Sequence, residues 1–390
     1  MTPSARVQAA IEILDLVIAA ARANGAPADR IVSDWFRARR FAGSKDRRAV
    51  RELVYRAVRS CGEVPVSGRA AMLRVACDDV ELRALFDGTR HSPAVIAQGE
   101  PVADGGAAPD WLMQRLAKSG VGADQALSLL GRAPLDIRLN TLKGSEADLP
   151  EGGEKVAARN GWRYPPDTRI EATAAYESGA IEVQDAGSQL TCEVVAAQPG
   201  ETVIDLCAGA GGKTLALAAA MDNRGRLVAC DTDRARLSRL APRAERAGAL
   251  PIETVLLDPG REIEALGAFR AAADAVLIDA PCSGTGTWRR NPEARWRLTD
   301  KQVLRYAATQ ARLLDIAVDL VAPGGRLVFV TCSLLDAEGA SQAEAFLARH
   351  PEWRAEAVDL PAGTPRGLGR RLSPFDDGTD GFFVARFQRL

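Results

Sequence analysis

Histidine is scarce in this sequence: 390 residues contain two, His91 and His350. A histidine-ligated metal centre and a histidine-based catalytic triad are therefore not expected. Seven cysteines occur, at Cys61, Cys77, Cys192, Cys207, Cys230, Cys282 and Cys332, an odd number without any C-x-x-C spacing. That argues against a disulfide framework and against a thiolate zinc site, so no metal is expected. Long apolar runs are missing too, and none approaches the ~20 residues of a membrane span. The stretch at 11–21 is interrupted by Glu12 and Asp15. Met1-Thr-Pro-Ser-Ala lacks the charged-then-apolar design of a secretory leader. No membrane partner and a cytoplasmic location are expected. Internal repeats and low-complexity tracts are absent as well.

What is present has the composition of a globular protein, with 47% apolar and 26% charged residues. The length suggests two or three domains. The net charge of −1 conceals an uneven distribution: residues 1–60 hold twelve Lys/Arg and six Asp/Glu. Arg37, Arg39, Arg40, Lys45, Arg47, Arg48, Arg51, Arg56 and Arg59 fall close together. Such a patch suits phosphate contacts, and a solvated helix surface explains it equally well. Val7, Ala10, Ile11, Leu14 and Ile18 share one helix face, as do Val50, Leu53, Val54 and Val58. Residues 92–109 are rich in Gly and Pro and read as a linker. Helices are predicted within 111–130 and a strand at 135–139. Beyond that, short apolar runs at 202–206, 226–230, 254–257, 275–278 and 327–331 are mostly separated by helix-length stretches, and 381–387 reads as a last strand. This alternation predicts a mainly parallel sheet covered on both faces. The expected organisation is a helical domain over 1–95, a small α+β subdomain over 110–195 and an α/β domain over 196–390.

The first strand of the α/β region ends in Asp205-Leu-Cys-Ala-Gly209-Ala-Gly211-Gly212-Lys213-Thr214. Ligands of open α/β sheets bind beyond the carboxyl ends of the strands, where glycines let the backbone approach them. A P-loop would need glycine at 207, which is Cys, and a dinucleotide G-x-G-x-x-G would need it at 214, which is Thr. Asp205, Gly209 and Gly211 instead satisfy D-x-x-x-G-x-G, the first motif of class I methyltransferases. Asp231 ends the second strand, where a carboxylate can accept the ribose hydroxyls of a nucleoside cofactor. Asp258 and Asp279 close the third and fourth strands. One such residue is commonly only a helix cap, whereas several on one rim favour a nucleoside cofactor.

The fourth strand runs into Asp279-Ala-Pro-Cys282-Ser-Gly-Thr-Gly286, and the fifth into Val328-Phe-Val-Thr-Cys332-Ser333. Cysteines are often just small buried hydrophobes, which suits Cys61, Cys77, Cys192 and Cys230. Cys282 and Cys332 each begin a loop on the cofactor rim, where packing pressure is low. Cytosine C5 is a poor nucleophile; thiolate addition at C6 turns the ring into an enamine whose C5 attacks an electrophile. A free cysteine is only a few per cent thiolate at neutral pH, so such a site must stabilise the thiolate.

Together these segments resemble the RNA 5-methylcytosine methyltransferases, a family of bacterial ribosomal RNA enzymes and eukaryotic nucleolar and tRNA enzymes. The resemblance rests on VQDAGSQL at 183–190, DLCAGAGGKT at 205–214, Asp231, DAPCSGTG at 279–286, RRNPEARW at 289–296, TCS at 331–333 and DGFF at 380–383. RLNTLK at 138–143 and PDWL at 109–112 extend it. GSKDRRAVRELVYRAVR at 43–59 resembles the NusB-like RNA-binding domain of the bacterial enzyme.

The resemblance implies a Rossmann-like class I methyltransferase with a seven-stranded sheet, an all-α NusB-like N-terminal domain and a small α+β middle subdomain. It implies S-adenosylmethionine as cofactor, held by Cys207, Ala208, Gly209, Ala210, Gly211, Gly212, Lys213, Asp231, Asp258 and Asp279. It makes Cys332 the nucleophile and Cys282 the releasing group, with Asp279 beside them in the catalytic set. DNA cytosine methyltransferases attack from the Pro-Cys cysteine, so Thr-Cys-Ser separates the two groups. RNA is the implied partner, ribosomal RNA first and transfer RNA as the alternative, acted on by a monomer. A DNA enzyme and a non-catalytic ribosome-assembly factor are the remaining readings. Arg138, Asn140, Arg289 and Arg290 are the implied RNA contacts. Trp288 and Trp296 either stack on bases or pack in a core. The family loop usually reads C-A-A-P-G-G-K; Gly209 and Ala210 replace Ala-Pro here, which predicts a looser loop.

Overall fold

The computed structural model describes residues 1–249 and 251–390. Its contacts group the chain into two units, Met1–Gly131 with Thr287–Asp300, and Arg132–Gly286 with Lys301–Leu390. The first unit therefore takes in 110–131, and it includes a segment borrowed from the sequence of the second.

Helices α1 (Pro3–Arg22), α2 (Ala28–Ala38), α3 (Ser44–Ser60), α4 (Gly68–Cys77), α5 (Val80–Ala84), α6 (Asp110–Lys118) and α7 (Ala123–Ser128) make up the first unit. The predicted faces are the buried ones: Val7, Ala10, Ile11, Leu14 and Ile18 of α1 meet Val50, Val54 and Val58 of α3 in one core, with Leu53 partly buried against it. Residues 92–109 contain no helix among the described residues and pair once, through Gly105, with Cys61.

In the second unit, β1 (Leu135–Leu139), β2 (Glu154–Lys155), β3 (Gly161–Tyr164) and β4 (Ile181–Val183) form an antiparallel sheet in the order β2-β3-β1-β4. Helices α8 (Ala174–Ser178) and α9 (Ala186–Val195) flank β4 in sequence. The larger sheet begins with β5 (Thr202–Asp205), α10 (Gly212–Ala220), β6 (Arg226–Asp231), α11 (Arg234–Leu237), α12 (Leu240–Ala247), β7 (Glu253–Leu256), α13 (Glu262–Ala265) and β8 (Ala273–Asp279). It continues with α14 (Asp300–Leu320), β9 (Val321–Thr331), α15 (Ala340–Arg349), β10 (Trp353–Glu356), β11 (Thr364–Arg366), β12 (Gly369–Leu372) and β13 (Phe382–Arg389).

The order is β11-β12-β13-β9-β8-β5-β6-β7, with β10 also paired to β13. Strands β5 to β9 pair in parallel, and β13 runs antiparallel to β9. Alternate residues feed opposite cores, as strand geometry dictates. Val203, Leu227, Leu277 and Val328 face one side, while Ile204, Val228, Ile278 and Phe329 face the other. This double burial explains the apolar runs that announced these strands. Among the described residues the sheet has nine strands rather than the seven expected. The additions are short and polar, such as Thr364-Pro-Arg and Gly369-Arg-Arg-Leu, and carry no apolar signal.

The strand order reverses direction at β5, whose neighbours are β6 and β8. Such a switch point opens a crevice at the carboxyl ends of the strands. Because β9 lies beside β8, the loops carrying Cys282 and Cys332 leave neighbouring strands.

Candidate active site

The glycine loop follows β5. Gly209 and Gly211 have φ of 56° and 85°, in the left-handed region that favours glycine. A Cβ on Gly211 would collide with Leu240 Cδ1 at 2.1 Å. The Gly209 N–H donates to Asp231 Oδ2 at 2.7 Å, and Asp233 N–H donates to Oδ1 at 2.7 Å. Asp231 thus shapes the loop from the end of β6. The stiffness a proline would give at 210 has a substitute, because Arg243 Nη1 donates to the Ala210 carbonyl at 2.8 Å. Arg243 is in turn paired at 3.0 Å with the buried Glu182, which also binds Arg246.

Asp205 lies under the loop and is fully buried. It accepts from Thr214 Oγ1 at 2.7 Å, and burial pushes its carboxyl up to about 7. Cys207 and Ala208 continue from β5, and burial pushes the Cys207 thiol up. Gly212 opens α10. Lys213 is 8% exposed, and its Nζ donates to Asp279 Oδ2 at 2.6 Å. Burial is the largest influence and opposes its charge, but Asp279, with Cys192 and Cys332, outweighs burial and holds the ammonium above its ordinary range. Asp258, just past β7, is exposed.

The two motif cysteines meet. Their Sγ atoms lie 3.4 Å apart, and both residues are partly exposed. The hydrogen bond with Cys332, then burial, raises the Cys282 thiol well above its ordinary value. Either thiol can be the donor across this contact. Lys213 is close enough to Cys332 for their charges to interact.

Motif reading missed the carboxylate beneath them. Glu338 is 0% exposed. Its Oε1 accepts from Ser283 N–H at 2.8 Å and Gln310 Nε2 at 3.4 Å. Its Oε2 accepts from Ser333 Oγ at 2.7 Å and from Ser283 Oγ. Gln310 Nε2 also donates to the Pro281 carbonyl at 3.0 Å, and Gly286 N–H donates to the Cys332 carbonyl at 3.0 Å. The only advance signal was a serine following each cysteine.

The expected RNA contacts are placed unevenly. Asn140 is buried, and its Nδ2 donates to the carbonyls of Gly179 at 2.8 Å and Ala247 at 2.7 Å, so its amide serves the fold. Arg138 is 5% exposed and donates through Nε to Gln184 at 2.8 Å. Arg289 is buried, whereas Arg290 is exposed. Base stacking by the two tryptophans is not what the structure contains. Trp288 is 0% and Trp296 5% exposed, and Trp296 belongs to the helical core. Among the described residues no cluster of His, Cys, Asp or Glu has the makings of a metal site, and no helix is long and apolar enough to cross a membrane.

A family model described as 16S rRNA methyltransferase RsmB/F matches residues 192–388. A probable ribosomal RNA small subunit methyltransferase B from Synechocystis is 32% identical over 306 residues, covering 72% of this chain and 66% of that protein. A ribosomal RNA small subunit methyltransferase B from Thermus thermophilus is 35% identical over 283 residues, covering 72% and 65%. The chain spans just under two thirds of the length of these curated relatives. In structure it is similar to PH0851, with 26% identity, a TM-score of 0.77, and coverage of 100% of this chain and 99% of that one.

Proposed function

The chain belongs to the 16S rRNA methyltransferase RsmB/F family, and from that premise we propose that it transfers a methyl group from S-adenosylmethionine to C5 of a cytosine in RNA. Ribosomal RNA is the substrate, and the cytoplasm the place of action. The observation that carries this reading is the 3.4 Å approach of Cys282 and Cys332 on the rim of the glycine loop.

The rim fits the methyl donor. Gly209 and Gly211 bare the backbone at positive φ, and Asp231 spends one N–H acceptance on each oxygen. About half of its roughly four lone-pair sites stay open to ribose hydroxyls. When bound, the donor supplies an electrophilic methyl carbon. Asp231 and the backbone at 207–213 hold it, with Asp258 and Asp279 on the same rim.

The cysteines divide the work. Cys332 adds as thiolate to cytosine C6, and the C5–C6 π pair becomes available at C5. The Cys282 S–H steadies that thiolate before attack. After methylation the C5 proton leaves to solvent, the Sγ–C6 bond breaks, and its electrons return to Cys332. Cys282 donates to the departing sulfur and lowers the barrier to release.

The test is a methyl-transfer assay with labelled S-adenosylmethionine and ribosomal RNA. Cys332→Ala is expected to abolish transfer, and Cys282→Ala to accumulate a covalent RNA–protein band on a denaturing gel. Near-normal transfer by Cys332→Ala would sink the assignment. Bisulfite mapping of cellular RNA with and without the protein identifies the target and distinguishes ribosomal from transfer RNA.

A further inference from the structure

We propose that Glu338 is a positioning residue that sets Cys282 against Cys332 and so governs release of the RNA; this rests on the covalent reading above. Glu338 sits two residues before α15, and Gly339 between them holds the cap position, so the helix does not call on the Glu338 carboxylate. Its carboxylate instead turns to Ser283, Ser333 and Gln310. No Lys or Arg pairs with it among the described residues. A buried carboxylate held by neutral donors alone is costly, and a neutral side chain would serve simple packing better.

The bonds are unequal in a way that matters for function. Cys332 follows directly on β9, which is fixed on both sides by β8 and β13. Cys282 lies past the end of β8 in an irregular loop. Its neighbour Ser283 reaches Glu338 twice, through its backbone N–H and through its hydroxyl. Gln310 spans the same carboxylate and the Pro281 carbonyl, so the residues on both sides of Cys282 are tied to Glu338. Ser333, next to Cys332, also donates to Glu338, but loss of the carboxylate loosens the Cys282 loop more, because β9 still holds Cys332. Attack needs Cys332, but release needs the pair. The Gly286 to Cys332 backbone bond remains as an independent tie between the loops.

The experiment compares full-length wild type, Glu338→Ala, Glu338→Gln, Ser283→Ala, Cys282→Ala and Cys332→Ala. Single-turnover transfer, steady-state turnover and adduct accumulation are read on ribosomal RNA. In parallel, phenylarsine oxide is added without RNA; it condenses with two adjacent thiols, losing water, and mass spectrometry identifies the bridged 282 and 332 peptides. For Glu338→Ala the expected result is single-turnover transfer near wild type, kcat lower by about 100-fold with KM little changed, as for an ångström-scale misplacement, an accumulated adduct, and loss of the arsenical bridge. Glu338→Gln keeps the acceptor oxygen and restores turnover and bridge. If Glu338→Ala melts early, Ser283→Ala carries the test, with a smaller rise in adduct expected. Wild-type turnover without adduct in Glu338→Ala would overturn the proposal. So would a Gln variant that folds but performs no better than Ala. If wild type transferred no methyl group, the reaction assigned above would fall, and arsenical bridging would then decide the positioning claim alone.

Discussion

Asp205 and Asp231 end neighbouring strands, yet their surroundings give them different work. Asp231 takes two backbone N–H groups and keeps acceptor capacity. Asp205 is buried and takes the Thr214 hydroxyl, with burial raising its carboxyl to about 7. In an unfolded chain that carboxyl titrates near 3.9. The unfolded state thus loses its proton first as pH rises, and the native state is penalised across that window. The stabilising contribution is fully present below about 4 and is lost as pH rises through about 7. Asp205→Asn removes the ionisation, so its melting temperature relative to wild type is expected to climb from pH 4 to pH 8. A constant difference over that range would refute the assignment. Arg243 makes a second case. Removing it frees the Ala210 carbonyl and leaves Glu182 with one cation. A charge-assisted bond of about 1.5–3 kcal/mol spent on holding the loop predicts that Arg243→Ala weakens S-adenosylmethionine binding by about 10- to 100-fold, measurable by calorimetry. The glycines and motif cysteines were legible because their spacing is local. Glu182, Arg243 and Glu338 were not, since each acts on partners brought near only by folding, as with the 55 residues separating Ser283 from Glu338.

At the scale of elements, the segment Thr287–Asp300 is built to finish helices. Glu293 accepts the Ala28 N–H at the start of α2, at 2.9 Å. Arg297 donates to the carbonyls of Gly25 at 2.9 Å and Ala26 at 2.7 Å, just after α1. Arg295, 0% exposed, donates to the carbonyls of Val58 at 2.6 Å and Cys61 at 2.7 Å at the end of α3. Anion at a helix start and cations at helix ends match the helix dipole. Arginine and tryptophan beside a catalytic loop resemble an RNA contact in sequence because phosphates and helix-end carbonyls ask for the same donors. Only burial separates the two, and burial cannot be read from an irregular segment with no periodicity. The main strands, by contrast, were legible from their doubly buried apolar runs. Arg295→Met strips a donor from the buried carbonyls of Val58 and Cys61, the second keeping only the longer bond from Trp296 Nε1 at 3.4 Å, at about 1–3 kcal/mol each. A loss of about 3 kcal/mol in urea unfolding is expected. Unchanged stability with weakened RNA binding would restore the contact reading.

Over the whole molecule, a net charge of −1 must accommodate the polyanionic substrate proposed above, which places weight on where cations stay unspent. Much of the N-terminal basic cluster is spent. Arg37 pairs with Asp34, Arg51 with Asp29 and Arg56 with Asp79, each at 2.6 Å. Arg39 lies over Trp35 at 4.1 Å and Arg47 over Phe36 at 5.6 Å. Arg40, Lys45 and Arg48 are exposed and have no ion pair among the described residues. They surround the turn between α2 and α3, which also carries Phe41 at 73% exposure. Three unpaired cations beside an exposed ring suit a nucleic-acid backbone and an unstacked base. Each phosphate neutralised contributes about 0.7–0.9 to the slope of log affinity against log salt. Replacing Arg40, Lys45 and Arg48 together with Ala is therefore expected to flatten that slope by about 2–3. Affinity for ribosomal RNA should fall at low salt and converge on wild type at high salt. Replacing the already paired Arg37, Arg51 and Arg56 should flatten it less, because their charge is partly balanced within the protein. An equal effect from both triples would show that net charge, rather than this turn, draws the RNA in.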